Sequence, residues 1–133
     1  DNTYSNCHPM FGTVTEWYYR WLAGIKPDPE SPGFKKFILS PSTPEGLEFV
    51  NCTYQSPFGQ IVSNWKQSQL GTCHYEMKIP EGSEANIILS VKKTQQIILE
   101  KKGNHLESEK IKGLQTGNFY LGEGEYSITV SSI

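Results

Sequence analysis

Lys26-Pro27-Asp28-Pro29-Glu30-Ser31-Pro32-Gly33 is the stretch across which the hydrophobic period of this chain changes. Upstream of it, Val14, Trp17, Tyr18, Trp21 and Leu22 fall at i, i+3, i+4, i+7 and i+8, the stripe of an amphipathic helix. Thr13 and Glu16 have the spacing of a capping box, in which each side chain satisfies a backbone N–H exposed at the helix start. Gly24 supplies a C-terminal stop and Pro27 lies just beyond it, so the spacing predicts a helix over 13–23. Residues 1–11 read as an irregular lead-in.

Downstream, apolar residues recur at every second position between glycines and prolines. Strands are expected near 35–40, 46–55, 60–67, 72–79, 85–91, 96–101 and 125–131, with a weaker pair around 106–112 and 118–121. In Thr72–Ile79 the inward set is Cys73, Tyr75, Met77 and Ile79, while His74, Glu76 and Lys78 face water. Ile61, Ser63 and Trp65 alternate with Val62, Asn64 and Lys66 in the same manner. Short strands separated by turns such as Ser56-Pro57-Phe58-Gly59 and Gly122-Glu123-Gly124 predict a mainly β chain: an antiparallel two-sheet β-sandwich preceded by one amphipathic α-helix. One helix cannot make a domain, so its aromatic face needs either the sandwich or a body lying upstream.

The 133 residues suffice for one ordinary domain, and a net charge of −2 gives no electrostatic reason to expect nucleic acid. The one basic cluster, Lys92-Lys93 with Lys101-Lys102, is broken by Glu100 and reads as a solvated loop face. No apolar run approaches the ~20 residues of a membrane span. No signal peptide is visible, and the chain opens on Asp1 rather than Met, as a processed chain or a piece of a longer one would.

Cys7, Cys52 and Cys73 cannot all pair and show no CxxC spacing. The adjacent Cys73 and His74 project to opposite faces of a strand, so no metal site or cofactor is expected. Cys52 and Cys73 read as small buried hydrophobes. The sequon Asn51-Cys52-Thr53 falls inside a predicted strand and reads as chance.

Phe11-Gly12-Thr13-Val14-Thr15-Glu16-Trp17-Tyr18-Tyr19-Arg20, then Ala23–Glu30 and Pro32-Gly33-Phe34-Lys35-Lys36-Phe37, closely resemble the C-terminal region of bacterial α-L-rhamnosidases. The resemblance continues through Gly46-Leu47-Glu48 and Tyr54–Lys66, and more loosely to Gly124-Glu125-Tyr126. It implies a large inverting glycosidase that releases terminal α-L-rhamnose from glycosides, with a catalytic barrel of paired helices followed by a β-sandwich. Residues 1–26 would then be the terminal helix segment of the upstream barrel body, 27–33 a Pro-rich linker, and 34–133 the C-terminal sandwich.

Inversion needs an acid and a base carboxylate roughly 6.5–9.5 Å apart. The resemblance places both upstream, so no catalytic residue is expected in this chain. It carries over only His8, as a residue lining the sugar pocket of the complete parent. Cys7 stands where the family often has Asn, and the bland reading of His8 is an exposed lead-in residue. Glu123/Glu125 and Asp28/Glu30 lie in turns where carboxylates are solvated, and no nucleophile elbow or phosphate-binding loop is present.

The expected role is therefore non-catalytic and structural, with the upstream barrel of the same polypeptide as partner and rhamnose-containing glycans reached through that parent. Left without the barrel, the stripe Val14, Trp17, Tyr18, Trp21 and Leu22 should fold back on the sandwich or pair with another copy. Self-association is favoured because Pro27, Pro29 and Pro32 stiffen the connector. The alternative is a carbohydrate-binding module, for which Trp65, Tyr54, Phe58 and Tyr120 are the available rings. Phase places Trp65 in the core, while Phe58 and Tyr120, beside turns, are the candidates for exposure.

Overall fold

The computed structural model describes residues 4–9, for which the backbone alone is considered, and residues 21–30, 33–68, 71–103 and 111–132. Ten strands appear among them: β1 Tyr4–Pro9, β2 Ile25–Pro27, β3 Lys36–Leu39, β4 Phe49–Ser56, β5 Gly59–Gln67, β6 Cys73–Ile79, β7 Glu84–Ile88, β8 Gln95–Lys101, β9 Asn118–Leu121 and β10 Gly124–Ser132. They form a six-stranded sheet in the order β1-β4-β5-β6-β10-β8 and a four-stranded sheet in the order β2-β3-β7-β9. All pairings are antiparallel except β3 with β7, which run parallel in the register Lys36↔Glu84 to Leu39↔Ile87. The parallel pair follows from the path of the chain, which spends β4, β5 and β6 in the large sheet before returning to the small one.

The alternation read from the sequence is what packs the two sheets together. Cys73, Tyr75, Met77 and Ile79 are buried, as are Ile61, Ser63 and Trp65. Tyr126, Ile128 and Val130 of β10 join them, facing Phe37, Leu39, Ala85, Ile87, Phe119 and Leu121 of the small sheet in one contiguous core. A side chain of Leu, Ile or Phe size contributes roughly 1.5–3 kcal/mol when fully buried, so these inner faces are the main stabilising term. Hairpin β4–β5 turns where expected: the Ser56 hydroxyl donates to the Gly59 carbonyl at 2.8 Å and accepts from Phe58 N–H at 3.2 Å.

Several elements differ from the sequence reading. The lead-in contains β1, whose backbone pairs with β4 from Tyr4↔Gln55 to Pro9↔Val50. The first residues after the helix make β2, paired with β3 from Ile25↔Leu39 to Pro27↔Phe37. Proline is tolerated there because β2 is an edge strand and a missing N–H can face away from the ladder. Ile111 and Lys112, the described end of the strand expected around 106–112, are a bend and a turn, and a short 3-10 turn, Leu114–Thr116, follows them. Residues 106–110 of that expectation lie outside the described residues, as does the Thr13–Glu16 capping box.

At Ile97 the outer border of β8 is occupied by a side chain. Gln115 accepts from Ile97 N–H at 3.1 Å and donates to the Ile97 carbonyl at 3.0 Å, so its amide stands where a further strand would pair.

Candidate functional site

The last carbonyls of a helix have no intrahelical partner and must find one elsewhere. Here residues 21–23 are helical, and the three carbonyls that follow one another at the junction are all taken by the sandwich. Leu22 O accepts from the Trp65 indole Nε1–H at 2.9 Å and from Ser42 N–H at 3.1 Å. Ala23 O accepts from the Ser63 hydroxyl at 2.6 Å, and Gly24 O from Ser40 N–H at 2.9 Å.

The donors sit on β5 and on the segment after β3, so both sheets hold the helix end. Leu22 and Ala23 are 1% and 0% exposed, which makes them part of the sandwich core. Gly24 adopts φ +74, and a Cβ built on it would lie 2.1 Å from the Ser40 carbonyl carbon. No side chain fits, and the left-handed conformation strains any L residue. The predicted stop is therefore also the point of closest backbone approach.

This junction bears on the aromatic stripe. Leu22, its last described apolar member, is packed into the sandwich core two residues before the left-handed Gly24. Trp21 beside it is 43% exposed. Val14, Trp17 and Tyr18 lie outside the described residues. His8 falls in β1, its backbone opposite Asn51, and its side chain is likewise outside the description.

Two open clefts adjoin on the outer face of the large sheet. One, of about 400 Å³, includes Asn51, Asn64, Lys66, His74 and Glu76 in its lining; the other, of about 510 Å³, shares Asn64 and Glu76 and adds Lys78, Glu100 and Ser127. Within them His74 is held between hydroxyls, with Nδ1 3.0 Å from Thr129 Oγ1 and Nε2 3.3 Å from Ser127 Oγ. Glu76 Oε1 lies 3.7 Å from the same Nε2. This is a serine–histidine contact whose far ring nitrogen meets a threonine rather than a carboxylate, so it lacks the orienting acid of a hydrolytic triad.

The acidic pairs have structural partners: Asp28 Oδ1 accepts from Glu30 N–H at 2.9 Å, and Glu125 lies 3.6 Å from Lys102 Nζ. Burial pushes the Tyr75 phenol well above the ordinary range, aided by neighbouring Cys73, and burial likewise raises Cys73. Tyr126 is raised by burial and then by the charge of Glu123. All three favour the neutral form, which suits packing rather than proton transfer. Among the described residues no group of three His, Cys, Asp or Glu side chains is placed to hold a metal ion, and no helix is long and apolar enough to cross a membrane.

Of the four rings considered for sugar stacking, Trp65 and Tyr54 are buried, whereas Phe58 and Tyr120 are 41% and 61% exposed. The sequence reading missed Ser63 and Trp65 as anchors of the helix end. The available signal was Ser63 itself, a hydroxyl in an inward phase that needs a buried acceptor. It also misread Cys52, which is 1% exposed but disulfide-bonded, while Cys73 is free. In the pairing of β1 with β4 the backbone of Cys7 stands directly opposite that of Cys52.

Fold and junction together define a β-sandwich domain into which the end of a helix is built. The family model described as bacterial alpha-L-rhamnosidase C-terminal domain matches residues 24–104, and the chain belongs to this family. An alpha-L-rhamnosidase of Formosa agariphila is 30% identical over 123 residues, covering 91% of this chain and 13% of the relative. One from an Alteromonas species is 36% identical over 64 residues, 48% of this chain and 7% of the relative. The chain thus spans a small fraction of the curated relatives it matches.

Among solved structures, alpha-L-rhamnosidase from Dictyoglumus thermophilum superposes with a TM-score of 0.64 at 21% identity, over 87% of this chain and 13% of that one. The Streptomyces avermitilis alpha-L-rhamnosidase complexed with L-rhamnose gives 0.60 at 22% identity, over 87% and 10%. At these identities the two structures bear on the fold.

Proposed function

We propose that this chain is the non-catalytic structural domain of an α-L-rhamnosidase-like glycoside hydrolase, whose parent releases terminal α-L-rhamnose from glycosides. The observation that carries the reading is the junction: Leu22, Ala23 and Gly24 give their carbonyls to Trp65, Ser42, Ser63 and Ser40 of the sandwich. A helix end fixed in this way transmits orientation, since moving it would expose several buried polar groups at once. On this reading the helix that ends at Ala23 comes from an upstream helical barrel, and the sandwich that braces it takes in β1 and β2 as well as residues 34–133. His8 contributes to the sugar pocket only in the complete parent, and rhamnose-containing glycans are partners of that parent.

The test is hydrolysis of an aryl α-L-rhamnoside. The purified chain should show none, and turnover that survives repurification yet disappears on mutating a residue of this chain overturns the reading. Self-association through Val14, Trp17, Tyr18, Trp21 and Leu22 is tested by sedimentation with and without residues 1–26. The buried Leu22 shifts the expectation toward a helix end held by its own sandwich.

A second reading, a carbohydrate-binding module, is favoured by one observation. Phe58 and Tyr120 are both exposed; Phe58 lies against the Cβ position of Gly82, and Gly82 and Tyr120 line one cleft. Tyr120 overlooks an open cleft of about 480 Å³ that includes Glu84, Lys101 and Glu123. Tyr120→Ala should then abolish oligosaccharide retention at unchanged melting temperature; failure of the unaltered chain to bind any oligosaccharide discards this second reading.

A further inference from the structure

We propose that Cys7 and Cys52 form a disulfide across β1 and β4, and that the protein matures in an oxidising compartment. The chain has three cysteines. Cys52 is disulfide-bonded and Cys73 is free, which leaves Cys7 as the partner within one chain. The register agrees, since the backbone of Cys7 is paired directly with that of Cys52.

The hydrogen-bonding direction of β4 strengthens the assignment. In an antiparallel sheet a residue's N–H and C=O point to the same neighbouring strand. Cys52 N–H donates to Asn64 Oδ1 on β5 at 2.9 Å, so its polar groups turn away from β1. Cys7 and Cys52 are then a non-hydrogen-bonded pair, whose Cα atoms approach to about 4.5 Å. That separation lies inside the roughly 4.4–6.8 Å window that a disulfide requires. The Cys52 side chain belongs to the inner face and is 1% exposed, so small thiols reach the bond poorly.

Formation is an exchange reaction. The two thiols surrender two protons and two electrons to the disulfide of an oxidised dithiol oxidase, which leaves as a dithiol while the new S–S bond closes. Such donors act outside the cytosol, where glutathione and thioredoxin no longer hold thiols reduced. Cys73 is buried in the core and stays out of the exchange.

The experiment counts thiols in the whole chain, independently of any glycosidase reading. Protein prepared with oxidised and reduced glutathione is denatured in iodoacetamide without reductant, and its intact mass is measured. One alkyl group, rising to three after reduction, is expected, and a non-reduced digest should link the Cys7 and Cys52 peptides. Three alkyl groups before reduction, or a linkage that includes Cys73, overturns the pairing. Acid-quenched source cells alkylated in the same way test the compartment: one alkyl group per chain supports it, and a fully reduced pool overturns it.

Discussion

Ser63→Ala is the substitution that isolates the junction from the rest of the sandwich. Ser63 is fully buried and its hydroxyl donates to the Ala23 carbonyl at 2.6 Å. Alanine is smaller and introduces no clash, so the main consequence is an acceptor left unpaired in a dry site. That costs about 1–3 kcal/mol, against the 0.5–1.5 kcal/mol that an ordinary hydrogen bond contributes net. For a chain of this size the melting temperature should fall by about 4–10 °C. Urea titration followed by tryptophan fluorescence gives the free energy, with an unchanged slope showing that the folded state keeps its compactness.

Ser131→Ala, on the outward side of β10, is the control and should stay within ~0.5 kcal/mol. Combining Ser63→Ala with Trp65→Phe, which removes the donor to Leu22 O, should give a non-additive loss because adjacent carbonyls share one helix end. A Ser63→Ala protein as stable as the parent would refute the claim that these bonds hold the helix end to the sandwich.

Trp65→Ala removes the largest fully buried side chain among the described residues and should cost ~3–5 kcal/mol, measured by the same titration. Gly24→Ala forces a Cβ against Ser40 at a left-handed backbone position and should destabilise by more than ~1 kcal/mol, whereas Gly46→Ala, which meets no atom within 4 Å, should show only the conformational part of that effect. Cys73, Tyr75 and Tyr126 are all raised above ordinary values of 9.0 for the thiol and 10.0 for the phenols. Their contribution to stability is complete below those values, and it is lost as pH rises through them because the unfolded chain ionises first. Thermal melts should therefore decline from about pH 9 upward, less steeply in Tyr75→Phe.

The sandwich was legible because burial on one face imposes a period of two. Wherever that rule operated unopposed, as in Cys73–Ile79 and Ile61–Trp65, both strand and facing were readable. It failed at β1 and β2, short edge strands whose pairing is decided by where the neighbouring strand lies rather than by their own pattern. Cys52 was misread for the same reason, since its covalent state depends on a strand far away in sequence. At the junction, the sequence signals for the helix end were present in Gly24 and Pro27, yet the acceptors are backbone carbonyls, which carry no side-chain signature. The outer-face cleft around His74 was visible only as an alternation of polar residues, whose hydroxyl contacts require β6 and β10 to be neighbours.

The Gln115 amide on Ile97 has a consequence for how this domain can be handled apart from a parent chain. A bare strand border recruits other chains, because its N–H and C=O groups are a template for further pairing. On β8 that template is interrupted at its middle, where a side chain of the same molecule takes both backbone groups of Ile97. The small sheet ends in strands of three and four residues, too short to nucleate growth. Among the described residues the other border of the six-stranded sheet is β1. Trimming or displacing residues 4–9 would bare β4 and move that border inward by one strand, offering the longer β4 to pairing.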